Sequence, residues 1–354
     1  MQITSFRRGF SVFFFIFFLS LISRAPLASA LECNGSTELC ERPYNEVTYV
    51  VTHNAQSNQK NLLFSLIPGS NISNQSRSML KQLRQGIRGM KLPVYEYADQ
   101  TYVCHGMNAS VKIRVKQALC EKLWFLNSTC GGIVDNINPC QFDPATKTLG
   151  YAFKKVAKFL NENPNEVVTL FLEDHAGDFP KIMAEFDSSG LTRYLHGQNQ
   201  LLPWPKLGEM IQANKRLVVF INHERDRQGR HINGFPLLNN QKFFAWGTQF
   251  TFRSIDSLTN DHPSDVRKNQ FALARWDDFP RNKVWIMQHF ITPTLGGDRS
   301  SAEIVNRAEF IDSRIKKYTE TEHGLPTYLW VDYYEAPASS PGIFDIVRRI
   351  NRLQ

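Results

Sequence analysis

Two histidines in this chain stand at the ends of strand-like runs, and imidazole is the side chain whose ordinary pKa lies nearest neutrality. His53 follows Val47-Thr48-Tyr49-Val50-Val51-Thr52, a β-branched and apolar run, and is itself followed by Asn54. His105 closes a second run, Tyr102-Val103-Cys104, ahead of Gly106. Two histidines so placed can divide the work of general base and general acid between them. One strand-end histidine is more often a structural hydrogen-bonder, so the case rests on what accompanies the pair. Other apolar runs also end in polar groups: Glu173-Asp174-His175, Asn222-His223 and Asp332-Tyr333-Tyr334.

The elements that must carry these groups alternate. Short β-branched runs lie at 47–51, 90–94, 167–172, 217–221, 284–288 and 327–331. Segments with helical spacing fall between them at 76–86, 150–161, 207–213 and 302–318, and a terminal helix is expected over 343–353 with Ile343, Ile346, Val347 and Ile350 inward. Strand, helix, strand, repeated, predicts a parallel sheet. Closed into a barrel, such a sheet gathers its chemistry at the carboxyl ends of its strands, where the polar groups above recur. No low-complexity linker or internal repeat divides the chain, so one domain is expected.

The first 30 residues read as a secretory signal: Arg7 and Arg8, an apolar run from Phe10 to Ile22, and the small-x-small ending Ala28-Ser29-Ala30. The run is short for a membrane span of about 20 residues, which favours cleavage over anchoring. Removal leaves residues 31–354, lowers the formal charge from +8 to +5 and predicts a secreted or luminal protein without a transmembrane segment in the mature chain. The remaining Lys and Arg are dispersed. That suits an anionic membrane surface and argues against a nucleic-acid partner. The stretch Arg225-Asp226-Arg227-Gln228-Gly229-Arg230 reads as a basic turn that either meets phosphate or is simply solvated. Trp246, Phe250 and Phe252 read as core more than as a membrane wedge.

All six cysteines, Cys33, Cys40, Cys104, Cys120, Cys130 and Cys140, lie beyond the signal. An even count after such a signal predicts disulfides, with Cys33–Cys40 the favoured local bridge and the rest open. Without a C-x-x-C pair, zinc is set aside. Sequons begin at Asn34, Asn71, Asn74, Asn108 and Asn127, so a glycoprotein is expected wherever they are exposed.

In order along residues 45–335, Thr52-His53-Asn54, Gly86-Ile87-Arg88-Gly89, Val103-Cys104-His105-Gly106, Asn163-Pro164-Asn165-Glu166, Leu172-Glu173-Asp174-His175 and Trp330-Val331-Asp332-Tyr333-Tyr334 resemble the X-domain of phosphatidylinositol-specific phospholipase C, within the PLC-like phosphodiesterases. The chain is most similar to secreted single-domain members. The resemblance implies an α/β, distorted TIM-type barrel over 31–354 that cleaves a phosphodiester of an inositol phospholipid or related lipid. It implies that His53 is the base toward a hydroxyl of the substrate itself and that His105 is the acid toward the leaving alcohol. Asn54, Arg88, Glu173, Asp332 and Tyr334 are then expected to contact substrate.

The resemblance also exposes a departure. Calcium-dependent members bind the ion with the residue after the first histidine, a Glu-x-Asp on the second strand and the Glu of an L-E-N-H motif. Here Asn54 and Glu173 match, but Lys91 and Pro93 stand at the Glu-x-Asp positions. Calcium takes six to eight oxygen ligands, and an ammonium repels it, so the calcium site is expected to be lost and no cofactor retained. Secreted bacterial members use an arginine, at the position of Pro93, in place of the metal. Positions 91 and 93 share a strand face, so Lys91 is expected to supply the cation from one pleat earlier. The alternative is that Lys91 pairs with Glu173, filling a dead metal site, and that the barrel only binds a headgroup or other ligand. Glycerophosphodiesterase-like or sphingomyelinase-D-like chemistry is disfavoured, because it needs carboxylates where Asn54, Lys91 and Pro93 stand.

Overall fold

The computed structural model describes residues 31–58, 73–104, 140, 146–262, 282–292, 297–320, 324–338 and 341–353. Each expected strand forms within three residues of its expected bounds: β1 (Tyr49–Thr52), β2 (Gly89–Tyr97), then, beyond a hairpin, β5 (Val168–Asp174), β7 (Leu217–Ile221), β10 (Val284–His289) and β11 (Tyr328–Val331). Shorter strands complete the sheet: β3 (Gln100–Val103), β4 (Lys147–Thr148), β6 (Leu195–His196), β8 (Asn239–Asn240) and β9 (Ala245–Gly247). The main order is β6-β7-β5-β2-β1-β11-β10-β9, with parallel pairing at every step. The sheet is the parallel one that the alternating pattern predicts, and it curls into the incomplete, distorted TIM-type barrel that the resemblance implies.

One part of the sheet is not parallel. β3 runs antiparallel to β2, with Val94 opposite Val103, and β4 antiparallel to β3. The turn between β2 and β3 uses Ala98 and Asp99, both at positive φ (47° and 59°), the twist that a two-residue hairpin needs. The second histidine-bearing run is therefore brought back beside the strand of Lys91: Cys104 N–H lies 3.4 Å from Pro93 O. His105 itself lies outside the described residues.

The side-chain period of two divides the core into two layers. Tyr49, Val51, Phe171, Val218, Phe220, Ile286, Tyr328 and Trp330 fill the barrel interior. Val50, Leu170, Leu172, Val219, Met287, Leu329 and Val331 face the surrounding helices. The interior is unusually aromatic. The Tyr44 hydroxyl meets those of Thr169 (2.7 Å) and Tyr328, and Phe171 packs edge-on against Tyr328 and Trp330 at 4.9 Å. Such rings fill the lower barrel.

The helices follow the expected periodicity at Met79–Arg84, Leu149–Glu162, Leu207–Gln212 and Ile343–Leu353. A helix at Phe179–Ser189 has no counterpart among the expected elements, although its signals are present. Asp178 caps its amino end, accepting from Lys181 N–H at 3.0 Å, Pro180 stands in the first turn, and Gly190 closes it at φ 75°. The single helix expected over 302–318 is two, Arg299–Val305 and Ala308–Thr319. The break has a cause. Asn306, 1 % exposed, leaves the helix to donate its amide to Asp332 O at 3.0 Å, fastening the exit of β11.

Cys33–Cys40 forms as expected, and Cys104 is bridged to Cys140. Cys120 and Cys130 lie outside the described residues, as do the sequons at Asn71, Asn108 and Asn127. Trp246 and Phe252 are buried, whereas Phe250 is exposed. Among the described residues no helix is long and apolar enough to cross a membrane.

Candidate active site at the carboxyl end of the barrel

Inward parity, continued past the strand ends, decides which polar groups meet. Val51 is paired with Trp330 and with Gly89, so two residues later His53 is level with Asp332 and Lys91. Phe171 is inward, so Glu173 is inward too, opposite Pro93. Gly89 is what allows β1 and β2 to approach here, since a Cβ on it would lie 2.4 Å from Val51 Cγ2.

His53 is fixed on several sides. Its backbone N–H donates to Val331 O at 3.0 Å, and Gln75 Nε2 donates to both His53 O (2.9 Å) and Val331 O (3.0 Å), tying the β1 exit to the β11 exit. The ring stacks on Phe290, centroids 4.0 Å apart and planes 11° apart. Nδ1 lies 2.9 Å from Asp332 Oδ1. Asp332 is 3 % exposed and gives its second oxygen, Oδ2, to Asn74 Nδ2 at 2.9 Å. Asp332, expected as a substrate contact, has both its oxygens engaged within the site. A buried carboxylate on Nδ1 orients the imidazole and places its lone pair on Nε2.

Lys91 stands beside this pair. Its Nζ lies 2.9 Å from Asn54 Oδ1 and forms an ion pair with Glu173 Oε2. Asn54 sits in the left-handed region at φ 46°, which asparagine tolerates better than most residues, and so turns its amide inward. His175 Nε2 lies 3.4 Å from the other Glu173 oxygen, and its ring stacks on Tyr95 at 4.5 Å. Burial alone raises the Glu173 carboxyl, but the Lys91 ammonium and His175 outweigh it and hold the group well below the usual carboxylate range. Burial, followed by the Glu173 charge, pushes the Tyr95 hydroxyl up.

The two calcium-type oxygens that survive in the sequence, on Asn54 and Glu173, thus both face one ammonium. That arrangement does not fit a divalent cation. Among the described residues no group of three or more His, Cys, Asp or Glu is placed to hold a metal.

Two residues expected as substrate contacts stand away from the His53–Lys91 group. Arg88 precedes β2, at the amino end of the barrel and opposite the site. There its Nε donates to Glu166 Oε2 at 2.5 Å, its Nη1 to Leu83 O and Ile87 O, and its guanidinium covers the Phe159 ring at 5.0 Å. It is a structural clamp. Tyr334 is 3 % exposed, donates to Gln85 Oε1 at 2.5 Å and packs edge-on against Phe344, so it belongs to the core between sheet and terminal helix. The basic turn at 225–230 is paired within itself and to its neighbours. Arg230 Nε holds Asp226 Oδ2 at 2.6 Å, and Arg227 donates to His175 O at 2.5 Å. Asn74, Gln75, Phe290 and Asn306 enter the site without any sequence signal for chemistry; Asn74 stands out in the sequence only as the start of a sequon.

A PI-PLC X family model (PI-PLC X 1) matches residues 112–337. A PI-PLC X domain-containing protein of Arabidopsis thaliana is 24 % identical over 315 residues, covering 87 % of this chain and 62 % of the relative. PI-PLC X domain-containing protein 1 of Arthroderma benhamiae is 26 % identical over 325 residues, covering 88 % of each. An uncharacterized secreted protein of the same fungus is 24 % identical, with 91 % of this chain and 64 % of the relative covered. The chain thus spans about six-tenths of the length of the Arabidopsis relative and of the uncharacterized secreted protein. Among solved structures, the phosphatidylinositol-specific phospholipase C of Listeria monocytogenes superposes with a TM-score of 0.52 at 12 % identity, covering 90 % of this chain and 97 % of that one. The Staphylococcus aureus enzyme gives 0.52 at 15 % identity, with 88 % and 94 % covered. These likenesses establish the fold, and with the match over most of the chain's length they place it: the chain belongs to the PI-PLC X family.

Proposed function

We propose that this chain is a phosphoric diester hydrolase of the phospholipase C type, cleaving an inositol phospholipid or a related lipid at a membrane surface without calcium. The observation that carries the reading is the 2.9 Å contact between His53 Nδ1 and Asp332 Oδ1, which leaves Nε2 as a base. Nε2 takes the proton from a substrate hydroxyl neighbouring the phosphate. The hydroxyl oxygen bonds to phosphorus as the bond from phosphorus to the lipid alcohol breaks, and the departing oxygen receives a proton from His105. Charge gathering on the phosphoryl oxygens is met by the Lys91 ammonium. The pairing of Cys104 N–H with Pro93 O supports a role for the adjoining His105, since it draws that run alongside the strand of Lys91. Secretion belongs to the same proposal: it is supported by the signal-like first 30 residues and by two disulfides, which suit an oxidising compartment.

The Lys91–Glu173 ion pair favours a second reading, a barrel that binds a headgroup without cleaving it, because the ammonium is already neutralised by a carboxylate. One experiment separates the two. The secreted protein is offered phosphatidylinositol vesicles with calcium and with chelator. Cleavage indifferent to chelator, and abolished by His53→Ala and by His105→Ala separately, is the expected result. Loss of activity on chelation overturns the calcium-free reading, and vesicle binding with no turnover selects the second.

A further inference from the structure

Four hydrogen bonds in series link the cation of this site to its base. Lys91 Nζ donates to Asn54 Oδ1 at 2.9 Å, Asn54 Nδ2 to Asn74 Oδ1 at 3.1 Å, and Asn74 Nδ2 to Asp332 Oδ2 at 2.9 Å, while Asp332 Oδ1 faces His53 Nδ1 at 2.9 Å. The direction of every bond is set from the two ends. An ammonium has no acceptor and an ionised carboxylate has no donor, so each asparagine has only one amide orientation that satisfies both its neighbours. It follows that His53 donates from Nδ1. The 3.4 Å approach of Asn74 Nδ2 to His53 Nδ1 then brings two donors together and is no bond of its own.

Asn74 is the middle of this series and is built in. It is 1 % exposed and Asn54 2 %. Its backbone N–H donates to Ser57 O at 2.9 Å and its carbonyl accepts from Tyr333 N–H at 2.8 Å. Gly297 packs against it, so close that a Cβ there would stand 2.8 Å from Asp332 Oδ2 and 3.1 Å from Asn74 Cα.

We propose that Asn74 is a positioning residue whose carboxamide couples the Lys91–Asn54 pair to the Asp332–His53 pair, and that its sequon, Asn74-Gln75-Ser76, is consequently unglycosylated in the working protein. An N-linked glycan is built on Nδ2, the atom that donates to Asp332. The sugar removes a donor hydrogen and needs a path to solvent that a fully enclosed side chain lacks. The positioning role rests on His53 being the base; the glycan exclusion rests on burial alone.

The test uses the secreted full-length protein, with Asn74→Ala and Asn74→Asp as variants and Ser76→Ala as the sequon-only control. Peptide mapping by mass spectrometry is expected to find Asn74 unmodified, and Ser76→Ala to match wild type in turnover. Asn74→Ala is expected to lower kcat about 10- to 100-fold with KM within about twofold. Asn74→Asp, which sets a second carboxylate against Asp332, is expected to lower it further. Proton NMR of His53 reads the coupling without turnover: a protected downfield Nδ1–H resonance in wild type, exchange-broadened in both variants. Wild-type kcat and an unchanged His53 resonance in Asn74→Ala overturn the proposal, as does a glycan on Asn74 in active protein. If wild type cleaves no phosphodiester the catalytic reading fails, while the NMR and mapping arms still decide the role of Asn74.

Discussion

Asp332 Oδ1 and His53 Nδ1 lie 2.9 Å apart although 279 residues separate them in the chain. The contact joins the exits of two adjacent parallel strands, β1 and β11. Replacing Asp332 with Asn keeps the shape but removes the charge and lets the imidazole take the other tautomer. Turnover of phosphatidylinositol is expected to fall by about 10²- to 10⁴-fold with the far-ultraviolet circular dichroism unchanged. A loss below about fivefold contradicts the assignment of His53 as the base.

Lys91 discriminates catalysis from mere binding. Lys91→Met is expected to cost about 10² or more in kcat, and Lys91→Arg to retain part of the activity, because the guanidinium keeps the charge with different geometry. Glu173→Gln frees the ammonium from its partner, and in the catalytic reading it leaves activity within about tenfold of wild type. If the pair is only a filled metal site, Lys91→Met and Glu173→Gln both change vesicle binding while turnover stays absent. Calorimetric or sedimentation binding to vesicles beside the kinetic assay separates these outcomes.

Gly297→Ala tests how tightly this side of the site is packed. The added methyl is placed 2.8 Å from Asp332 Oδ2 and 2.9 Å from Ser73 O, and the second of these is backbone that cannot swing away. The expected result is a destabilisation of about 1–3 kcal/mol in urea unfolding, together with a fall in kcat. A variant with both quantities unchanged shows that the loop at 297 yields freely.

His289 governs part of the acid response. It is fully buried, donating from Nε2 to Val305 O at 2.6 Å and accepting at Nδ1 from Arg314 Nη1 at 2.9 Å. Burial, then the Arg314 guanidinium, pushes its pKa from 6.5 down to about 3. The unfolded chain therefore binds a proton that the folded chain refuses between those values. Stability from this group is complete above pH 6.5 and is lost as pH falls toward 3, at up to about 1.4 kcal/mol per pH unit. Urea unfolding of wild type and His289→Gln between about pH 4 and 7 is expected to show a shallower slope in the variant. Parallel slopes refute the assignment.

Much of the scaffold is legible locally. The β-branched runs ending at His53, Glu173 and Asp332 become β1, β5 and β11, and the amphipathic spacing at 150–161 becomes the helix Leu149–Glu162, because burial of alternate or every third and fourth side chain is a local property of the sequence. Substitution of Lys91 and Pro93 for carboxylates is equally visible, since it needs only residue types. The helix at Phe179–Ser189 is legible in its caps, Asp178, Pro180 and Gly190, yet its apolar pattern is weaker than that of the helix Leu149–Glu162.

What sequence alone determined, then, is which residues face inward at the strand ends and that a lysine stands where a metal ligand is expected. Which of those inward groups touch was decided by tertiary structure. The register of β1 against β11 brings His53 level with Asp332, a break at Asn306 holds that exit in place, and a loop residue marked in the sequence only by its sequon, Asn74, closes the network. The same register sends Arg88 to the opposite end of the barrel and Tyr334 into the core. The reason is physical: facing follows from a two-residue period within one strand, whereas contact depends on sheet register and curl, which only the packing of the whole chain sets.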